Sequence, residues 1–214
     1  MKTNQTNQTN ELSIVSQETS KRRFLKGLAA VMGTGAVAQL TSGNALAVAF
    51  DYKPQKDSAK KAGRLFSQVQ MAMLADICEV ILPKTDTPSA AELDVHGFID
   101  HQLVTCYDKA IQQHGKDILA KIDQQSQTHF SKSFTELSTE QQTKLLVAIE
   151  QQDLAFTADD KQQFKGLKLL VVFGYFTTEV GATQALSYQA VPGGFKGSIP
   201  YDSIGKSYGS LAYY

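Results

Sequence analysis

The sequence predicts a mainly α-helical fold: a single compact domain of about five helices, followed by an irregular tail rich in Gly, Pro and Tyr. Three observations predict it. Helix-opening capping boxes occur at Ser67-x-x-Gln70, Ser138-x-x-Gln141 and Thr157-x-x-Asp160. Apolar residues recur at helical spacing downstream of each box. No segment alternates apolar and polar residues as a half-buried strand would, although Leu169 to Phe173 is β-branched enough to be ambiguous.

In chain order, the first box opens a helix carrying Val69, Met73, Ile77, Val80 and Ile81. It stops at Pro83, which has no N–H to continue a helical ladder. Val95, Ile99, Leu103, Cys106 and Ala110 form a second stripe that closes near Gly115, and Ile118, Leu119 and Ile122 mark a third helix. The Ser138 box opens a fourth with Leu145, Leu146 and Ile149. The Thr157 box opens the fifth and longest, with Phe164, Leu167, Leu170, Val171, Tyr175 and Phe176 along one side. Between the first two helices, Pro83-Lys84-Thr85-Asp86-Thr87-Pro88 favours a fixed, exposed turn.

The N-terminus has a different organisation. Residues 3–10 repeat Thr-Asn-Gln and have nothing to bury. Ser20-Lys21-Arg22-Arg23-Phe24-Leu25-Lys26 then precedes an apolar, small-residue run from Gly27 to Leu40, shorter than the roughly 20 residues that span a bilayer. Ala45-Leu46-Ala47 supplies the small-x-small pattern of a signal-peptidase site. Together these predict a cleaved twin-arginine (Tat) export signal at 1–47 and a protein delivered folded to the periplasm through the Tat translocase. Aligned on Phe24-Leu25-Lys26, the paired position holds Lys21 and Arg22; the alternative pair is Arg22 and Arg23. The expected organisation is therefore signal 1–47, linker 48–65, helical domain 66–187 and extended tail 188–214.

Charge and motif content exclude several function classes. The chain has 21 basic and 21 acidic residues; without 1–47, sixteen basic face nineteen acidic, with no Lys/Arg cluster to neutralise phosphates. Nucleic acid is not an expected partner. Two cysteines, Cys78 and Cys106, with no Cys-x-x-Cys, cannot build an iron–sulfur cluster or a c-type haem attachment. They could pair as a disulfide in an oxidising compartment, but Cys78 falls on an apolar helix face where an inert buried thiol is expected.

Histidines are equally unproductive. His96 and His101 are five apart and point to different helix faces, and no His-Glu-x-x-His occurs; Asp94 and His96 form at most a weak metal pair, so surface or capping roles are expected. Gly193-Gly194-Phe195-Lys196-Gly197 lacks the strand-loop-helix frame that aims a phosphate cradle, and no Gly-x-Ser-x-Gly elbow is present. From Tyr188 onward, Pro192, Pro200, five glycines and five tyrosines make a tail that cannot form its own core. It is expected to lie against the domain, lie against a partner, or stay loose.

Three blocks carry a resemblance: Ile81 to Ala90 (Ile-Leu-Pro-Lys-Thr-Asp-Thr-Pro-Ser-Ala), Gly174 to Gly181 (Gly-Tyr-Phe-Thr-Thr-Glu-Val-Gly), and Tyr188 through Pro192 to Gly197. In this order they resemble the gluconate 2-dehydrogenase subunit 3 family, the small or gamma subunits of membrane-associated sugar dehydrogenases, over roughly residues 66–200. The resemblance implies a non-catalytic subunit with no cofactor or metal of its own. Its expected partners are a large FAD-dependent subunit of the glucose-methanol-choline (GMC) type and a multihaem cytochrome c, so FAD and haem c reside in those partners. It also implies that the small subunit supplies the export signal and helps mature and stabilise the flavoprotein.

The expected contact surface is the Asp86-Thr87-Pro88 loop, Tyr175, Phe176 and Glu179, and the tail from Tyr188 through Pro192. The alternative is structural: the loop as a connector, Tyr175 and Phe176 as core, Glu179 as a solvated charge. The competing functional expectations are a free-standing periplasmic enzyme assisted by a metal at Asp94, His96 and His101, and a helical binding protein without a flavoprotein partner.

Overall fold

The computed structural model describes residues 52–187 together with 198, 200–203, 205 and 206. Ser20 to Lys26, expected to form the export signal, Ala45 and Ala47 of the expected cleavage site, and Tyr188 and Pro192 lie outside the described residues.

Five α-helices form the described domain: α1 Gln68–Ile81, α2 Val95–Cys106, α3 Lys109–Phe130, α4 Thr139–Gln151 and α5 Ala158–Thr177. Short 3-10 turns at Ser58–Lys60, Phe134–Glu136 and Tyr201–Ser203 and a π turn at Gly181–Ala185 join or follow them, and no strand occurs among the described residues. The segment from Leu169 to Phe173, ambiguous in sequence, is helical because it continues the capped α5.

All three capping boxes form. Ser67 accepts from the Gln70 N–H while the Gln70 side chain accepts from the Ser67 N–H, and the Ser138/Gln141 and Thr157/Asp160 pairs repeat the exchange. Each satisfies two donors that a helix N-terminus otherwise leaves open.

Two sequence expectations are corrected. The second stripe does not run on to Ala110: α2 ends at Cys106, and Asp108 caps a new helix by accepting from the Ile111 N–H, so Ala110 is exposed on α3 and Gly115 lies inside it. Val69 is 72% exposed, because the core face of α1 is set by Met71, Leu74, Ile77 and Cys78 instead.

Helix α5 touches each of α1 to α4, and α1 and α3 likewise touch every other helix. Phe164, Leu167 and Val171 of α5 are buried with Leu74, Ile77, Ile99, Leu103, Ile118, Ile122, Leu145 and Ile149. Burying each such side chain stabilises by roughly 1.5–3 kcal/mol. Helices α2 and α5 pack tightly at Gly174, where a Cβ would come within 2.6 Å of Phe98 Cδ1 and 2.9 Å of Val95 Cγ1. No described helix is long and apolar enough to cross a membrane.

Cys78 and Cys106 do not form the candidate disulfide; both are free thiols. Cys78 has no exposed surface and packs into the core, where burial pushes its thiol well above the ordinary range. Cys106 ends α2, half-buried, with its thiol raised by the same cause.

Candidate functional site

Two places in the fold gather the residues singled out by sequence. The first joins the loop after α1 to the end of α5. Pro83 ends α1, and the chain then folds tightly: Ala90 N–H donates to Leu82 O at 3.0 Å and Thr85 N–H to Thr87 O at 3.1 Å. Ser89 and Glu92 exchange backbone-to-side-chain bonds at 3.0 and 3.1 Å, and Lys84 Nζ meets Glu92 at 2.8 Å, which raises the Lys84 pKa and lowers that of Glu92. The loop is thus preset, as its prolines and short polar residues predict.

Tyr175 reaches this loop from α5. Its hydroxyl lies 2.7 Å from Thr87 Oγ1 and donates toward Pro88 O at 3.2 Å. Of the expected contact residues, Asp86 and Glu179 are exposed, Thr87, Pro88 and Phe176 are half-buried, and Tyr175 is buried with its ring edge-on to Phe176 at 5.2 Å. Tyr175 therefore ties the loop to α5 from beneath and does not itself present a contact face.

The remainder of the Gly174 to Gly181 block is also architectural. Thr178 Oγ1 donates to Tyr175 O at 2.7 Å and accepts from Gly181 N–H at 3.0 Å, and a Cβ at Gly181 would collide with the Tyr175 carbonyl. Beyond it, Lys206 Nζ donates to Gln184 O at 2.5 Å.

The second place was only half visible in sequence. From Tyr52 onward, the stretch expected as a linker is an arm fastened to α2 by two buried carboxylates. Asp94, at the N-cap of α2, adopts a left-handed φ of 58° and makes no side-chain capping bond to the helix backbone. Its carboxylate accepts instead from the Tyr52 hydroxyl at 2.6 Å, the Gln55 N–H at 2.6 Å and the Ser58 hydroxyl. Asp100, further along α2, accepts from the N–H groups of Arg64 at 2.6 Å, Leu65 at 2.9 Å and Phe66 at 3.0 Å. Both are only 4% exposed, and Asp94 takes neither the surface nor the helix-capping role expected of it.

His96 completes the first cluster. Its Nε2 lies 2.7 Å from Ser58 Oγ and 3.3 Å from Asp94 Oδ1. The carboxylate can only accept, so the Ser58 hydroxyl hydrogen points to Asp94, and Ser58 Oγ accepts from an Nε2–H tautomer. Burial holds the imidazole pKa below its ordinary value, against the opposing pull of Asp94. His96 Nδ1 is buried without a hydrogen-bond partner among the described residues. Burial first, then the bond to Asp94, pushes the Tyr52 phenol far above its usual range.

This arrangement does not make a nucleophile. In a Ser-His-Asp relay, the hydroxyl and the carboxylate take opposite imidazole nitrogens, whereas here both meet Nε2 and the serine donates to the carboxylate. Nor do Asp94, His96 and His101 form a metal site: His101 turns to Arg64 Nη1 at 3.4 Å and to the Tyr52 ring at 5.4 Å. Among the described residues, no three His, Cys, Asp or Glu side chains gather to hold a metal. What the cluster does is hold chain segments 34 to 42 residues apart.

No curated protein and no solved structure matches the chain. The family model described as Gluconate 2-dehydrogenase subunit 3 matches residues 68–193, from the first residue of α1 past the π turn. That match covers more than half of the chain and all five helices, and the chain belongs to the gluconate 2-dehydrogenase subunit 3 family.

Proposed function

We propose that this chain is the non-catalytic small subunit of a periplasmic sugar or sugar-acid dehydrogenase complex. Its catalytic partner is a GMC-type flavoprotein holding FAD, and a multihaem cytochrome c carries the electrons away. The chain supplies the twin-arginine signal for the folded pair and supports the maturation and stability of the flavoprotein. The carrying observation is family membership across α1 to α5.

Two further features support the reading. The signal at 1–47 directs a route for finished globules, which suits a chain whose partner receives its flavin in the cytoplasm. The loop around Asp86 is preset by its own hydrogen bonds and by Tyr175, so ordering it on contact would cost little entropy. Substrate choice belongs to the flavoprotein.

The test is a chain carrying Arg22→Lys and Arg23→Lys together. Both this subunit and the flavoprotein are expected to remain in the cytoplasm. A flavoprotein still exported beside the stranded variant removes the escort role.

A further inference from the structure

The arm that the two carboxylates hold, Tyr52 to Phe66, precedes the residues that match the family. It carries Lys53, Lys56, Lys60, Lys61 and Arg64 against a single acidic residue, Asp57. From residue 48 onward, the rest of the chain holds eleven basic and eighteen acidic residues, so the arm is a cationic strip on an otherwise acidic chain. In sequence the five cations are interrupted and do not form a run.

The fold gathers them. Fully extended, residues 53–64 would reach about 40 Å. Instead, Tyr52, Gln55 and Ser58 are held at Asp94 and Arg64 is held at Asp100, two anchors about 9 Å apart along α2. That spacing is close to the screening length of about 8 Å at physiological ionic strength, so the five charges act together on an approaching surface. All five residues are exposed, and none makes an ion pair among the described residues. The seating is tight: a Cβ at Gly63 would strike the Asp100 carboxylate.

The arm sorts its side chains by chemistry. Phe66 is buried, and Tyr52 and Leu65 pack half-buried against the core. Asp94 and Asp100 accept six hydrogen bonds from the arm and are themselves buried. The outward surface is therefore left to the cations, with no large exposed hydrophobic among them. A specific protein interface centres on buried aromatic or Arg anchors and is depleted in Lys. A charged bilayer needs no such anchor and attracts hydrated lysines through its headgroups. A flat bilayer also meets the strip alone, whereas a polyanion long enough to wrap would meet the acidic remainder of the chain.

We propose that the arm Tyr52 to Phe66 is an electrostatic docking strip for an anionic lipid surface, which lays the α2 side of the domain against the headgroups. The proposal does not depend on the dehydrogenase reading.

Vesicle sedimentation of the full chain tests it, with phosphatidylcholine alone or mixed with about a third phosphatidylglycerol. Three chains are compared: the wild type; an arm variant with Lys53→Gln, Lys56→Gln, Lys60→Gln and Lys61→Gln; and a control with Lys121→Gln, Lys132→Gln, Lys144→Gln and Lys165→Gln. The substituted arm side chains make no anchoring bond, so the arm stays seated, and any contribution of residues 1–47 is common to all three chains. The wild type should prefer the anionic vesicles, and the preference should fade in about 0.5 M salt. The arm variant should lose about fivefold in affinity for each lysine removed, roughly a hundredfold or more in all, while the control keeps its binding.

An arm variant that binds as the wild type does, or a control that loses as much, would overturn the strip. Loss of a co-isolated acidic protein from the arm variant, with vesicle binding unchanged, would assign the cations to a protein partner instead.

Discussion

The Tyr175 hydroxyl sits 2.7 Å from Thr87 Oγ1, a residue 88 positions earlier, and joins two of the three sequence blocks that carried the family resemblance. These two blocks are separate in sequence but form one piece of structure: a preset loop tied to the end of α5.

Tyr175→Phe keeps the buried ring and removes only the tie. A loss of about 0.5–1.5 kcal/mol is expected from urea unfolding, with faster amide exchange confined to residues 85–90. An unchanged midpoint and unchanged exchange would show that the loop holds itself.

Asp76 gives a pH dependence of unusual sign. Burial, with help from Glu79, raises its carboxyl from 3.8 to about 6, and a hydrogen bond with Gln142 opposes part of the rise. Between those values the folded chain binds more proton than the unfolded one, so stability falls as pH climbs through the window and the penalty is complete above it. Asp76→Asn should therefore raise the melting temperature at about pH 7 and change it little near pH 4. An equal shift at both pH values would assign the effect to packing.

Core and surface positions that look alike in sequence should differ sharply. Ile122, fully buried between helices, should lose about 2–5 kcal/mol on Ile122→Ala. Val69, at 72% exposure, should change by no more than about 0.5 kcal/mol on Val69→Ala. Denaturant midpoints of the two variants check the pair.

What was legible in the sequence was local. The three capping boxes state their own geometry within four residues, and helices α1, α4 and α5 start where they predict. Apolar spacing alone could not locate the break at Tyr107-Asp108, because Ala110 continues the stripe across it; the Asp108 cap was the signal that mattered. Asp94 and His96 stood out as a pair, yet their partners Tyr52 and Ser58 lie 36 to 42 residues away, and nothing local marks a carboxylate turned off its own helix. Gly63 and Gly97, each too crowded for a Cβ, were the available hints of a close approach.

After α4, three non-glycine residues in close succession adopt left-handed backbone: Gln152, Leu154 and Ala155, with φ of 57°, 53° and 65°. Ala155 is exposed, so its replacement by Gly removes a conformational cost of about 1–2 kcal/mol against an unfolded-state entropy gain worth about 0.5–1 kcal/mol. Ala155→Gly should stabilise by up to about 1 kcal/mol in thermal unfolding. Destabilisation would show that Ala155 makes a contact worth more than the strain.

The proposed place of this chain in a dehydrogenase complex is most directly tested by isolating it, tagged at one end, from gently solubilised native membranes. The expected eluate contains a flavin-bearing large subunit in fixed ratio to the chain, with sugar or sugar-acid oxidation that disappears when the flavoprotein is removed. Recovery of the chain alone, or of a processed chain that oxidises such a substrate without a partner, would contradict it.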